Sequence, residues 1–179
     1  MKSISTIAIF GLVFLTTTAM AGEDEFELCQ SKAENLVIRA ANCDIAIRLG
    51  ELSKEQMIVA LFNRGQANLA SEKPGIALED FDAVLKLAPQ DTEALFTRGV
   101  ARRQLKQYDA AIADFDRLLA LNYQPAAKIY LHRSMAYHLL GNKEKALADL
   151  RQAKKLDPAD PVITDRLWKS EQLYKQQGL

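Results

Sequence analysis

The chain has 179 residues, of which 49% are hydrophobic, and its 23 Lys and Arg balance 23 Asp and Glu for a net charge of zero. That length supports one domain with a continuous core. The balance excludes an electrostatic magnet for nucleic acid, whose binding rests on neutralised phosphates, and the dispersed basic residues form no polybasic run for an anionic lipid surface.

Residues 1–21 read as a secretory signal. Lys2 supplies the short positive end, Ile4 to Leu15 is mostly apolar, and Ala19-Met20-Ala21 is a small-x-small cleavage site. The apolar run falls short of the roughly 20 residues of a membrane span. No second such run follows, so no stable membrane insertion is expected after cleavage. The mature chain then starts at Gly22, and the bacterial periplasm or the cell exterior is its expected location. Cys29 lies too far past the cleavage site to be the lipid-bearing first residue of a lipoprotein.

Both cysteines, Cys29 and Cys43, fall near that mature N-terminus, and export places them in an oxidising compartment. On one straight helix, rising about 1.5 Å per residue, they would stand roughly 21 Å apart. A turn near Glu34-Asn35 would instead bring two antiparallel helices level. The expectation is a Cys29–Cys43 disulfide stapling a helical hairpin over residues 22–57, worth about 3 kcal/mol by loop entropy. A catalytic or metal-binding thiol pair is the weaker reading, because no Cys-x-x-Cys spacing exists and neither histidine is near in sequence.

From Ser53 onward the pattern is helical. Ser53 and Gln56 make a capping box for the helix carrying Met57 to Ala70. Pro74-Gly75 breaks the chain, and a second helix, Ile76 to Leu87, stops before Pro89. Asp91 caps a third helix to about Leu105, and Tyr108 to Leu121 follows, ending near Asn122 and Pro125. Ala126 to Leu140 and Lys143 to Leu156 form a further pair, closed by Asp157-Pro158. Asp160-Pro161 starts the last helix, to about Gln176, since proline suits a first helical position. No stretch alternates with period two, so no strand is expected.

The segment from Leu95 to Leu121 has copies on both sides. Gly99 and its companions have equivalents 34 residues earlier, at Gly65, Ala67, Ala77, Asp80, Phe81 and Pro89. Shifted forward by 35 they are Ser134, Ala136, Ala146, Asp149, Leu150 and Pro158. Three copies at a near-fixed period of this size mean a stacked repeat. Small residues let the two helices of a hairpin approach, larger apolar ones fill the gap to the next hairpin, and stacking supplies the core no single hairpin can bury.

In these residues the chain resembles the tetratricopeptide repeat family. The resemblance lies in Gly65/Ala77, Gly99/Ala111 and Ser134/Ala146, the larger partners Phe81, Phe115 and Leu150, and the closing Pro89 and Pro158. The second copy departs, with Tyr123 where that proline would stand and Pro125 two later, so its exit turn should differ. The resemblance implies an all-α, right-handed superhelical solenoid of antiparallel helix pairs, with repeats at 58–91, 92–126 and 127–160. Residues 161–179 would form a capping helix, presenting Val162, Leu167, Trp168 and Leu173 to the last repeat and Lys169, Glu171 and Lys175 outward.

Arg64, Arg98 and Arg133 precede the small residue of each copy, and Asp80, Asp114 and Asp149 precede the large apolar one. In an antiparallel hairpin each arginine lies opposite the aspartate sixteen residues later. Partly buried pairs Arg64–Asp80, Arg98–Asp114 and Arg133–Asp149 are expected; an arginine row gripping an anionic ligand is the alternative.

Nothing in the pattern calls for chemistry. His132 and His138 lie six apart on one helix, some 240° out of phase at about 100° per residue, so they cannot share a metal. No Gly-rich phosphate loop occurs, and no serine is singled out as a nucleophile. A non-enzyme without cofactor or metal is expected. In the family the first helix of each pair lines a concave groove, which here would comprise Phe62, Gln66 and Leu69, then Phe96, Val100 and Arg103, then Leu131, Met135 and His138, with Lys128 beside them. The alternative for this stripe is plain packing. Family members that grip the carboxylate tails of chaperones use Lys and Asn where this chain has Val59, Phe62, Gln66, Glu93, Phe96 and Val100, so that clamp is missing. An apolar or extended peptide, or a partner helix, fits better. The expected function is an exported adaptor binding a protein or peptide in the groove. The alternative is an assembly subunit of an envelope complex docking through its convex face.

Overall fold

The computed structural model describes residues 25–31 and 35–176. The signal-like stretch 1–21 and the Glu34 side of the expected turn lie outside the described residues. Within them the chain is all-α, in agreement with the sequence pattern. The helices are α1 (residues 25–30), α2 (Leu36–Leu49), α3 (Lys54–Ala70), α4 (Pro74–Leu87), α5 (Thr92–Gln104), α6 (Tyr108–Ala120), α7 (Ala126–Leu139), α8 (Lys143–Leu156) and α9 (Pro161–Gln176). Their starts follow local chemistry. Ser53 Oγ accepts from the Gln56 amide at 3.1 Å while Gln56 Oε1 accepts from the Ser53 amide at 2.8 Å, a complete capping box. Asn35, Asp91, Asn142 and Asp160 accept first-turn amides of α2, α5, α8 and α9. The turns inside the three pairs use one left-handed residue at equivalent places, Glu72, Lys106 and Gly141, and only the last is the residue type that adopts it freely.

The described residues up to Pro89 and those from Gln90 onward form two compact units. In the first, Phe26, Cys29, Cys43, Ala46 and Ala60 make a buried cluster under Ile47 and Leu52. The Cys29–Cys43 disulfide lies inside it, fully buried, and ties α1 to α2. Asn63 of α3 donates to the Cys29 carbonyl at 3.4 Å. Gly65 faces the ring of Phe81, so that α3 and α4 approach closely.

In the second unit Gly99 faces Phe115 in the same manner, and Phe115 and Leu118 are fully buried. Ala127, Leu131, Leu150, Ala153 and Ile163 then join α7, α8 and α9 in one cluster, flanked by Tyr130 and Leu167. Ser134 is buried too, its hydroxyl donating to the Leu131 carbonyl at 2.7 Å.

The inner face of α9 differs from the sequence expectation. Ile163 and Tyr174 are buried and Leu167 packs beside them, whereas Val162, Trp168 and Leu173 are exposed. The cap sets this register. Asp160 Oδ1 holds the Val162 and Ile163 amides at 2.7 and 3.1 Å, which turns positions 163, 167 and 174 toward α7 and α8. Tyr174 also bonds His138 Nδ1 through its hydroxyl, an anchor for the last turn that apolar spacing does not reveal.

Candidate functional site

Each first helix carries an arginine on the face it turns to its own partner helix. Arg64 Nη2 donates to Asp80 at 2.7 Å and its Nη1 to Asp44 of α2 at 2.7 Å. Arg98 donates to Asp114 through Nε at 3.0 Å and Nη2 at 2.6 Å, and Arg102 adds a third bond at 2.8 Å. Arg133 holds Asp149 at 2.8 and 2.7 Å and Asp116 of α6 at 2.5 Å. Hydrogen bonding to Asp80 raises the Arg64 pKa, and the bond to Asp149 does the same for Arg133. Burial pushes the Asp80 carboxyl upward against the pull of Arg64, whose Nε reaches both of its oxygens at 3.2 Å. These arginines hold the helix pairs together; the extra partners Asp44, Arg102 and Asp116 are not signalled by the sixteen-residue spacing.

The stripe of candidate partner contacts divides between the units. On α3, Phe62 is half-buried with its ring 5.9 Å from Phe81, and Gln66 and Leu69 are partly exposed beside it. On α5, Phe96 meets Phe115 at 6.1 Å and His132 at 5.1 Å edge-on, followed by partly exposed Val100 and Arg103. On α7, Lys128 is exposed, Met135 partly so, and His138 is exposed beside Tyr174. Leu131 is a correction. It is only 8% exposed, because α9 docks where it would have faced outward and makes it part of the α7–α8–α9 core. His132 takes the place beside Phe96 instead. A cleft of about 220 Å³ opens between Glu93, Phe96, Tyr123, Pro125 and Lys128, with the Tyr123 hydroxyl donating to Glu93 across it.

Cations gather near His132. Burial, then Arg103, Arg166 and Lys128 in that order, push its pKa down to about 4, so it is neutral at pH 7. Arg103 is itself pushed below its ordinary value, by burial and then by Arg166. His132 Nδ1, Arg103 Nε and Arg166 Nε are all buried and have no hydrogen-bond partner among the described residues. Sequence reasoning missed this cluster, since His132 and Arg166 become neighbours only when α9 folds back.

The folded pKa of His132 lies below its unfolded value of about 6.5, so the unfolded chain binds the proton first and stability falls as pH drops from 6.5 toward 4. Its share of that loss is expected to reach about 3 kcal/mol. Urea denaturation of wild type and His132→Gln at pH 7, 5.5 and 4 measures it. The variant should lose less stability on acidification, and parallel losses would refute the shift.

Among the described residues no three His, Cys, Asp or Glu side chains gather to hold a metal ion, and no helix is long and apolar enough to cross a membrane. A family model described as tetratricopeptide repeat matches residues 62–122 and 103–161. No curated protein sequence matches the chain. Among solved structures the chain is similar to MamA 41-end from Desulfovibrio magneticus RS-1, with TM-score 0.74 and 22% identity over 88% of this chain and 86% of that one. It is similar to YrrB, titled a TPR protein with an unusual peptide-binding site, with TM-score 0.64 and 23% identity over 75% and 66% of the two chains. The first TPR of Spaghetti (RPAP3) bound to HSP90 peptide SRMEEVD matches with TM-score 0.61 and 24% identity over 67% and 94%.

Proposed function

The chain belongs to the tetratricopeptide repeat family, and from that premise we propose that it is an exported, non-catalytic adaptor that captures a peptide or partner helix. The family and its solved neighbours support a protein-interaction module. The observation that carries the finer reading is the half-open apolar stripe of the second unit. Phe96 and Val100 on α5 and Met135 on α7 remain partly exposed while the seam residues beneath them, Phe115 and Leu118, are sealed. Apolar side chains left at a surface in contiguous file mark interaction sites. Phe62, Gln66 and Leu69 form the corresponding stripe of the first unit.

Export is part of the proposal. Its support is the signal-like stretch at residues 1–21 together with a buried Cys29–Cys43 disulfide, the chemistry of an oxidising compartment. Met135→Glu and Val100→Glu place charge on the stripe without touching the sealed seam. Both should keep the thermal midpoint within a few degrees of wild type yet lose partner capture from envelope extract. Full capture by both variants would refute the stripe and favour docking through the opposite face.

A further inference from the structure

We propose that the chain forms a reversible, twofold-symmetric dimer through the outer face of α2, with Val37, Ala41, Ile45 and Leu49 of one copy packed antiparallel on the same residues of another. The polar residues of α2 are only Arg39, Asn42, Asp44 and Arg48, so apolar side chains run all the way round it. A helix of that kind is normally buried on every side. One side is: Cys43 and Ala46 lie in the cluster with Phe26, Cys29 and Ala60. The other is not. Val37 and Ile38 are 64% and 52% exposed, Ile45 and Leu49 are 40% and 43% exposed, and Ala41 is exposed between them. Positions 37, 41, 45 and 49 form one continuous i, i+4 row, the ridge by which helices pack on one another.

Charge and size set the occupant. The charges beside the ridge are Asp44 and Arg48, 3.5 Å apart on the same helix, and Asp44 also accepts from Arg64 at 2.7 Å. The face therefore carries balanced charge, with nothing to draw an ionic peptide or an anionic lipid surface. It also has none of the aromatic side chains of a helix that lies in a membrane interface. It calls for a surface as neutral and as aliphatic as itself, and a second α2 is one. About a twofold axis level with Cys43, Val37 meets Leu49 of the other copy and Ala41 meets Ile45, so the smaller residue faces the larger at each contact. No like charges meet. Arg48 falls opposite Ile38, its stem over the aliphatic side chain and its guanidinium in water, and Asp44 falls opposite Asn42.

Area decides how firmly two copies hold. The half-exposed aliphatic side chains, with Ala41 and the Arg48 stem, offer on the order of 400 Å² per copy, so a pair covers about 800 Å², short of the roughly 1,200 Å² at which stable interfaces begin. The dimer is accordingly weak and concentration-dependent, with a Kd of about 10–100 μM. It uses none of the stripe residues Phe62, Phe96, Val100 and Met135. It therefore stands apart from the partner-binding reading above, and it would make the pair bivalent for that partner.

Sedimentation equilibrium of the full chain and of the chain from Gly22, at about 5 to about 500 μM, tests this. The mass of both should rise from one chain toward two and stop there. Val37→Glu and Leu49→Lys should each weaken pairing at least about tenfold, since a charge is then pressed against an aliphatic side chain. Each should keep the thermal midpoint within a few degrees of wild type, because the face is open in the single chain. An equimolar mixture of the two variants should regain part of the lost association, the new carboxylate at position 37 meeting the new ammonium at position 49 of the other copy. A wild-type mass of one chain throughout would overturn the dimer and leave the face to a helix of another protein. A mass that keeps rising past two would mean an open head-to-tail contact and overturn the twofold. Pairing by the full chain that vanishes in the chain from Gly22 would assign the contact to residues 1–21 and sink the proposal. Variants that pair as wild type does, or a mixture no better than its parts, would place the contact on another face or in another register and refute it as stated. A midpoint lowered well beyond a few degrees would show the ridge packed within its own chain, which also refutes it.

Discussion

Asp114→Ala is expected to destabilise the chain by about 3–5 kcal/mol, the range for removing one member of a buried ion pair. Asp114 is 3% exposed and accepts three charge-assisted bonds, from Arg98 Nε and Nη2 and from Arg102 Nη1. All three disappear together, and two partly buried arginines of α5 lose their shared carboxylate. Asp114→Arg should be worse, since it adds a third guanidinium to the same spot. Exchanging the pair, Arg98→Asp with Asp114→Arg, should recover part of the loss, because the Coulomb term survives the swap while the fork geometry and Arg102 do not. Urea denaturation followed by helical circular dichroism measures the series. A cost below about 1 kcal/mol for Asp114→Ala would show the network to be dispensable, as many solvent-exposed pairs are.

A comparable loss is expected at Gly99. A Cβ there would stand 2.8 Å from Phe115 Cε1 and 2.9 Å from Cζ, distances at which something must move. Phe115 is fully buried, with Phe96 and His132 against its ring, and has little room to shift. Gly99→Ala gains up to about 1 kcal/mol of helix propensity, and overpacking opposes it by about 1–3 kcal/mol, so a modest net loss should result. Gly99→Leu should cost more than about 3 kcal/mol, because no rotamer of that side chain avoids α6. The coupled test is Phe115→Leu, which is destabilising alone through its cavity. Combined with Gly99→Ala it should lose less than the sum of the two changes, the added methyl occupying space the smaller residue vacates. Strict additivity would mean that the close approach does not limit the packing.

Much of this fold was legible because local and repeated signals agree. Caps at Ser53 and Asp91, the breaks at Pro74 and Pro89 and the recurring small-to-large partners point to the same helices, and the structure has them. The spacing from Arg98 to Asp114 is readable for a simple reason: two antiparallel helices joined by a short turn bring residues at mirrored distances from that turn face to face. What resisted reading is everything decided by a neighbouring pair. Asp116 meets Arg133 only after α7 has docked on α6, and Arg102 joins Asp114 from one turn along its own helix. Leu131 has the same place in its copy as Phe96, yet α9 covers it and turns a surface position into core. Val162, Trp168 and Leu173 look like sealing residues in the one-dimensional pattern, but the Asp160 cap rotates α9 away from them. The cluster of His132, Arg103 and Arg166 joins three helices and leaves no spacing in the sequence at all.

The exposed outer face of α9 has a practical consequence. Trp168 is the chain's sole tryptophan and is 61% exposed in the folded state. Its indole is already wetted before denaturation begins, so intrinsic emission changes little as the helices come apart. The same fluorophore becomes a sensitive reporter of anything that settles over that end of the molecule and dries it.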